Sequence, residues 1–112
     1  MGATKTEGFS AQQNETAALA KALGHPARIA IVQHLASQQG CVCGQLVESL
    51  PLAQATVSQH LKELKQAGIV AGDVEGKNVC YCLNPAALEA LAAELQSLAK
   101  LNRAQCKPGL CC

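Results

Sequence analysis

The sequence predicts a mainly α-helical domain with a small β-wing, in the order α-α-(β)-α-α-β-β-α. Apolar residues make up 49% of the 112 residues, yet only Phe9 and Tyr81 are aromatic, so the core must be aliphatic. Alanine and leucine favour helices, and here apolar residues recur at helical spacing along most of the chain. Between residues 69 and 83 the pattern changes to β-branched residues around a central Glu-Gly-Lys-Asn, which is typical of a hairpin.

The first two helices are marked by their termini. Ser10, with Gln13 three residues later, matches a capping box, which predicts a helix from Ser10 to about Leu23. Gly24 ends this helix, and Pro26 begins the next one at its first position, where proline is tolerated. The residues predicted to face the core from the second helix are Ile29, Val32, Leu35 and Ala36.

The middle of the chain contains two further predicted helices. The segment Cys-Val-Cys at residues 41–43 is too short to classify by itself, and helical spacing follows it over residues 44–50. Pro51 closes that helix, and the next runs from about Ala53 to Ala67, where Gly68 caps it. The apolar stripe of this longer helix consists of Val57, Leu61 and Leu64.

The last helix is predicted to follow Asn84-Pro85 and to fray near Asn102. We therefore expect a disordered tail at residues 1–9, one domain at 10–102 and a cysteine-rich tail at 103–112. A continuous ridge on the last helix is predicted from its leucines, Leu88, Leu91, Leu95, Leu98 and Leu101.

Charge and cysteine content narrow the possible functions. The formal net charge of +1 does not by itself argue for nucleic acid, so any basic surface must be local or doubled by a partner subunit. The sequence predicts no membrane span and no signal peptide, and we expect a cytoplasmic protein. Seven cysteines in a reducing compartment indicate metal-binding or redox-active thiols rather than structural disulfides.

Residues 44–83 have the order of a winged helix-turn-helix: a short helix, a tight turn, a longer helix and a hairpin. The second helix of such a motif lies in the major groove of DNA, and its first residues reach the base edges. Glutamine can pair with adenine, and serine and threonine can donate to bases or phosphates. We predict DNA contacts from Gln54, Thr56, Ser58, Gln59, His60, Lys62 and the wing residue Lys77, and we expect all of the first five to face solvent.

Three segments of the chain resemble the ArsR (ArsR/SmtB) family of metalloregulatory repressors. They are GHPARIAIVQHLA, CVCGQLVESLPLAQATVSQHLKELKQAGIV and EGKNVCYCLN, and the resemblance covers roughly residues 14–95. It implies a homodimeric winged helix-turn-helix repressor that leaves double-stranded operator DNA when an inducer binds. The family dimerises through its first and last helices, which here assigns dimerisation to Leu19, Leu23, Leu88, Leu91, Leu95 and Leu98.

The resemblance also limits where an inducer can bind. The family's zinc-type site needs histidine on the last helix, and this chain has none after His60. The cadmium-type site needs an N-terminal cysteine, and none precedes Cys41. The arsenic-type site is a Cys-Val-Cys with a third cysteine one turn later; Cys41 and Cys43 match that pair, but Leu46 occupies the third position.

The C-terminal tail offers the other thiol site. Thiolates select soft ions, and trivalent arsenic or antimony takes three sulfurs in a pyramid. Cys106, Cys111 and Cys112 supply three, and the tail resembles that of arsenic-responsive family members whose thiols follow the last helix. We therefore predict As(III) or Sb(III) as inducer at the tail, with Cys41 and Cys43 as the alternative site and no organic cofactor.

The remaining thiols leave three interpretations open. If residues 41–43 pair with the wing, Cys41 and Cys43 share one face of a strand, as do Cys80 and Cys82 on its neighbour. The four can be packed core thiols, a disulfide or a tetrathiolate metal site. Two other functions are open to the whole chain: a redox- or persulfide-sensing repressor of the same fold, and a metallochaperone or thiol-transfer enzyme. The chain contains no Cys-x-x-Cys motif, which a thiol-transfer enzyme would be expected to have, so no enzyme is predicted.

Overall fold

The computed structural model of the chain describes residues 8–43, 53–73 and 80–105. The predicted helix at 44–50, the wing tip with Lys77, and the three tail cysteines lie outside these ranges. In chain order the elements are α1 (Ala11–Ala22), α2 (Pro26–Ser37), β1 (Cys41–Cys43), α3 (Gln54–Gln66), β2 (Val70–Asp73), β3 (Cys80–Leu83) and α4 (Pro85–Gln105).

The predicted helix starts are confirmed. The Ser10 hydroxyl accepts a hydrogen bond from the Gln13 amide at 3.0 Å, and the Gln13 side chain accepts one from the Ser10 amide at 2.9 Å. This is the reciprocal capping box. At α2, His25 is the N-cap and its Nδ1 accepts from the Ala27 amide at 3.0 Å, with Pro26 at the first helical position.

The core is aliphatic, as predicted, apart from one tyrosine. Helix α1 packs against α4, and α2 packs against α3. The prediction for α2 is confirmed at Leu35, which is fully buried, and at Val32, which packs against the core. It is wrong at Ile29, which is 40% exposed, and at Ala36, which is also exposed. The fully buried Ile31 was not predicted. Apolar residues occur all round α2, so their spacing could not select the inward face. The core residues are Leu19, Ala22, Ile31, Leu35, Val57, Leu61, Leu64, Ile69, Val70, Tyr81 and Leu91.

A three-stranded antiparallel sheet has the order β1-β3-β2. The Cys-Val-Cys segment, which the sequence left unclassified, pairs with the wing strand. β1 aligns with β3 so that Cys41 faces Cys82, Val42 faces Tyr81 and Cys43 faces Cys80. The Leu83 amide extends this ladder by donating to the Gly40 carbonyl. The central strand β3 therefore holds the edge strand β1, which directly precedes residues 44–52, in place by backbone pairing.

Glycine is required at one close approach in the sheet. Gly72 on β2 lies opposite Tyr81 and has a φ of +108°, in the region that favours glycine. A Cβ at this position would lie 2.5 Å from the Cys80 carbonyl oxygen and 3.2 Å from the Tyr81 Cα. Gly72 thus allows β2 and β3 to pair without a steric clash.

Helix α4 continues to Gln105, past the expected end near Asn102. Its first half contributes Leu91 to the core, and a hydrogen bond of 2.7 Å joins the Gln12 amide of α1 to the Glu94 carboxylate. Further along, Leu95, Leu98 and Leu101 are 55%, 54% and 65% exposed. None of the described helices is long and apolar enough to cross a membrane.

Candidate nucleic-acid interface and thiol sites

Helix α3 has one buried face and one exposed face, as predicted. Val57, Leu61 and Leu64 are at most 3% exposed and pack into the core. Thr56, Gln59 and Lys62 are exposed on the other side, and Ser58 is half-buried. The side chain of Gln54 lies outside the described part of α3. The exposed face therefore carries hydroxyl, amide and ammonium groups, which suit contacts with bases and phosphates.

Gln59 is held only loosely within the protomer. Its Nε2 donates to the Glu63 Oε1 one helical turn later, at 3.4 Å, in an exposed position. A bond of this length at the surface exchanges easily with water. The Gln59 amide is consequently available for a bidentate contact with a base edge.

The prediction that His60 faces solvent is wrong. Its side chain is only 9% exposed, and its Nδ1 accepts a hydrogen bond from Arg28 Nε at 3.0 Å. Arg28 also donates from Nη1 to the Ala22 carbonyl at 3.2 Å. The His25 ring lies 4.5 Å from the His60 ring, centroid to centroid. His60 therefore joins α3 to the start of α2 and does not lie on the exposed face.

The surroundings of His60 favour the neutral imidazole. Burial lowers the pKa of His60 below its ordinary value of 6.5, and the positive charges of His25 and Arg28 lower it further, while Glu63 acts in the opposite direction. The neutral ring is also the form that can accept the Arg28 hydrogen bond at Nδ1. Sequence reasoning missed Arg28 as a partner, although it stands three residues after His25 in the GHPARIAIVQHLA segment.

The four strand cysteines lie on the solvent side of the β1–β3 ladder. Cys41, Cys43 and Cys80 are exposed and Cys82 is half-buried, whereas Tyr81 on the opposite face is 1% exposed. Disulfides join Cys41 to Cys82 and Cys43 to Cys80. Of the three interpretations open for these thiols, packing in the core is wrong, because strand alternation places Tyr81 inward and the cysteines outward.

A metal site at the Cys-Val-Cys pair does not fit this state of the protein. The sulfurs of Cys41 and Cys43 are each bonded to a cysteine of β3, and a metal ligand must be a free thiolate. Within residues 8–43, 53–73 and 80–105 no group of three or more histidine, cysteine or acidic side chains is placed to hold a metal ion. The other predicted metal site, at Cys106, Cys111 and Cys112, lies outside these residues.

The predicted dimerisation residues divide into two groups. Leu19 and Leu91 are 5% and 8% exposed and belong to the protomer's own core, and Leu23 and Leu88 are half-buried against it. Leu95 and Leu98 are exposed. The expected ridge is therefore not continuous at the surface, because its first turns cover α1 and only the later turns of α4 expose leucine.

Known proteins of similar sequence and fold are transcriptional regulators by name. A family model described as a helix-turn-helix domain matches residues 23–73. The HTH-type transcriptional repressor SmtB of Mycobacterium tuberculosis is 51% identical over 65 residues, which cover 58% of this chain and 47% of that repressor. The chain thus spans about half the length of this relative.

Two further matches extend over more of the chain. The biofilm growth-associated repressor of Xylella fastidiosa is 36% identical over 89 residues, covering 80% of this chain and 74% of that protein. The crystal structure of an ArsR family transcriptional regulator superposes with a TM-score of 0.71 over 84% of this chain and 96% of that one. At 18% sequence identity, this last similarity concerns the fold.

Proposed function

Because this chain belongs to the ArsR/SmtB family of helix-turn-helix transcriptional regulators, we propose that it is a homodimeric repressor that releases operator DNA when trivalent arsenic or antimony binds its cysteine thiolates. The observation that carries the DNA-binding part is the two-sided helix α3. Its apolar residues are buried, and Thr56, Gln59 and Lys62 are exposed. A helix of this kind can enter the major groove with its polar face toward the bases.

The exposed leucines of α4 support the dimeric part of the proposal. Leu95, Leu98 and Leu101 expose apolar surface along one half of the helix, and α1 packs against the other half. Covering this surface with a second copy would remove it from water. Two copies related by a two-fold axis would present two α3 helices to successive half-sites, and they would double a basic surface that one nearly neutral chain does not provide.

The proposed inducer site is the tail, with Cys106, Cys111 and Cys112 as ligands. The chemistry of the donors supports it, since three thiolates match the preference of a soft trivalent ion. The tail follows α4, so a bound ion would act next to the proposed dimer helix. By linkage, if the ion weakens DNA binding, DNA weakens ion binding by the same factor, typically about 1–3 kcal/mol.

Operator titration with arsenite tests this proposal. Reduced protein and its upstream DNA are titrated with arsenite, zinc and cadmium, using the full chain and two variants. Truncation before Cys106 should keep DNA binding and abolish release by arsenite. Cys41→Ser with Cys43→Ser is the matched thiol control and should keep release. If the control loses release and the truncation keeps it, the inducer binds at the Cys-Val-Cys pair and the tail assignment is wrong.

A second candidate keeps the DNA-binding role and changes the trigger to oxidation or persulfidation of thiols. It is supported by the disulfides that join all four cysteines of the described strands. In this case peroxide should release DNA without any metalloid, and arsenite should have no effect on the reduced protein.

A further inference from the structure

Four cysteines lie together on the solvent face of the β1–β3 ladder, and we name them the strand thiol patch: Cys41, Cys43, Cys80 and Cys82. We infer that this patch is a reversible oxidation site, at which a low-molecular-weight disulfide converts four thiols into two cross-strand disulfides. Nothing in the family resemblance assigns a role to Cys80 or Cys82. The inference deepens the redox candidate above by giving that chemistry its residues.

The backbone ladder places each thiol opposite its partner. The Cα atoms of Cys41 and Cys82 are 4.0 Å apart, and those of Cys43 and Cys80 are 4.1 Å apart. These are the short spacings of directly opposed residues at non-hydrogen-bonded positions of an antiparallel pair. Strand β3 is also paired with β2 on its other edge. Since backbone bonds on both edges hold β3, the partners stay opposed when the thiols are reduced.

The strand thiol patch is open to small reagents. Three of its side chains are exposed and the fourth is half-buried. On the β2 side, the residue opposite Cys82 is Ala71, which is exposed and has only a methyl side chain. Thiol–disulfide exchange requires access to the attacked sulfur. The patch therefore meets the condition for formation and for reversal of both bonds.

The expected environment favours reversibility. If the proposed function is correct, the chain works beside DNA, where thiol reductants keep most cysteines reduced and the disulfides that do form are generally transient. This step rests on the proposed function, whereas the opposition and exposure of the cysteines do not. A disulfide that serves only as a permanent structural link does not need access to solvent, whereas both of these disulfides lie on the solvent face.

The exchange balances for each pair without a metal or cofactor. A thiolate of the patch attacks one sulfur of the small disulfide, forms a mixed disulfide and expels one small thiolate. The facing cysteine then attacks the protein sulfur of the mixed disulfide and expels the second small thiolate. The two cysteine protons end on the two small thiols, so two electrons pass from the cysteine pair to the reagent.

Oxidation at this patch links the edge strand β1 covalently to the central strand β3. Strand β1 has three residues and lies at the edge, and it precedes residues 44–52, where the sequence predicts the first helix of the helix-turn-helix. The two disulfides link positions 41 and 37 residues apart in sequence. The oxidation state of the patch thus sets whether this edge strand is fastened to the wing strand β3 covalently or by backbone hydrogen bonds alone.

Thiol counting on the full-length chain tests the inference. Cys106→Ser, Cys111→Ser and Cys112→Ser are introduced together, so that the patch holds all four remaining thiols. The protein is equilibrated with mixtures of reduced and oxidised glutathione, quenched in acid, alkylated with N-ethylmaleimide and weighed by mass spectrometry. We expect alkylation to fall in steps of two, peptide maps linking Cys41 to Cys82 and Cys43 to Cys80, and full recovery in excess reduced glutathione.

Two variants of the same background provide a matched control. Cys43→Ser with Cys80→Ser leaves the facing pair Cys41 and Cys82, whereas Cys43→Ser with Cys82→Ser leaves the diagonal pair Cys41 and Cys80. Diagonal neighbours in a ladder lie farther apart than facing ones, so the diagonal pair should need at least about tenfold more oxidised glutathione to close. Circular dichroism checks that both variants keep the helical fold.

Two results would overturn the inference: four thiols that stay open to alkylation at every glutathione ratio, or a diagonal pair that closes as readily as the facing pair. Operator binding is measured separately on the same samples. Absence of DNA binding in both redox states would contradict the proposed function. It would not affect the test of the strand thiol patch, which depends on thiol counting and peptide mapping alone.

Discussion

The hydrogen bond between Arg28 and His60 should stabilise the position of α3, the helix proposed to read DNA. Arg28→Met keeps an apolar side chain in place but removes the Nε bond to His60 Nδ1 and the Nη1 bond to the Ala22 carbonyl. Hydrogen bonds to charged groups contribute about 1.5–3 kcal/mol each, and Arg28 is half-buried, so the lower end applies. We expect the free energy of unfolding to fall by about 2–3 kcal/mol at a pH near 8.

A double-mutant cycle isolates the part that belongs to the pair. In a His60→Leu background, Arg28→Met removes only the bond to the Ala22 carbonyl. The difference between the cost of Arg28→Met in the natural chain and in this background is the coupling energy of the Arg28–His60 bond, which we expect to be about 1–1.5 kcal/mol. Urea unfolding followed by far-ultraviolet circular dichroism is the appropriate assay, because the chain contains no tryptophan. Protein concentration must be held constant, since dimerisation would add to the apparent stability.

The pH dependence of this coupling provides a sharper test. The folded-state pKa of His60 lies below 6.5, so neutral His60 predominates in the folded protein above that pH and its contribution is complete there. As the pH falls below 6.5 through the lowered folded-state pKa, His60 gains a proton, Nδ1 can no longer accept from Arg28, and the coupling should disappear. A coupling energy near zero at pH 8, or one that stays the same while the His60 ring gains its proton in an NMR titration of the folded protein, would refute the reasoning.

Three further predictions concern the reading helix, the dimer surface and the sheet. Gln59→Ala or Ser58→Ala should weaken operator binding by about 1–3 kcal/mol for each specific base interaction that the variant removes, and unchanged affinity in both variants would contradict the placement of α3 in the groove. Leu95→Glu with Leu98→Glu changes two exposed residues and should give folded monomer in sedimentation at micromolar concentration; a persistent dimer would exclude this part of α4 as the interface. Gly72→Ala places a Cβ 2.5 Å from the Cys80 carbonyl oxygen and should cost about 1–3 kcal/mol of unfolding free energy. Gly40→Ala shares the positive φ but meets no atom within 4 Å, so it should cost less, and equal costs would show that the close approach is unimportant.

Features that depend on neighbouring residues could be predicted from the sequence alone. The capping box at Ser10, the proline start of α2 and the inward stripe of α3 follow from interactions within one or two helical turns, and all three are present. The alternation in Cys-Val-Cys and Cys-Tyr-Cys likewise predicted which cysteines share a face. Such local rules need no knowledge of the rest of the chain, which is why they could be applied residue by residue.

Which side chains contact one another across the fold depends instead on how whole helices and strands pack together. His60 belongs to the polar face of α3 by sequence pattern, but Arg28 and His25 approach from the start of α2 and enclose it. The inward face of α2 also depends on packing, since apolar side chains on Ile29 and Ile31 point to opposite sides of one helix and only one side meets α3 and the sheet. The cysteine pairing requires a register between strands about 40 residues apart in sequence. Long-range contacts of this kind are fixed by how the elements dock, and no local pattern contains that information.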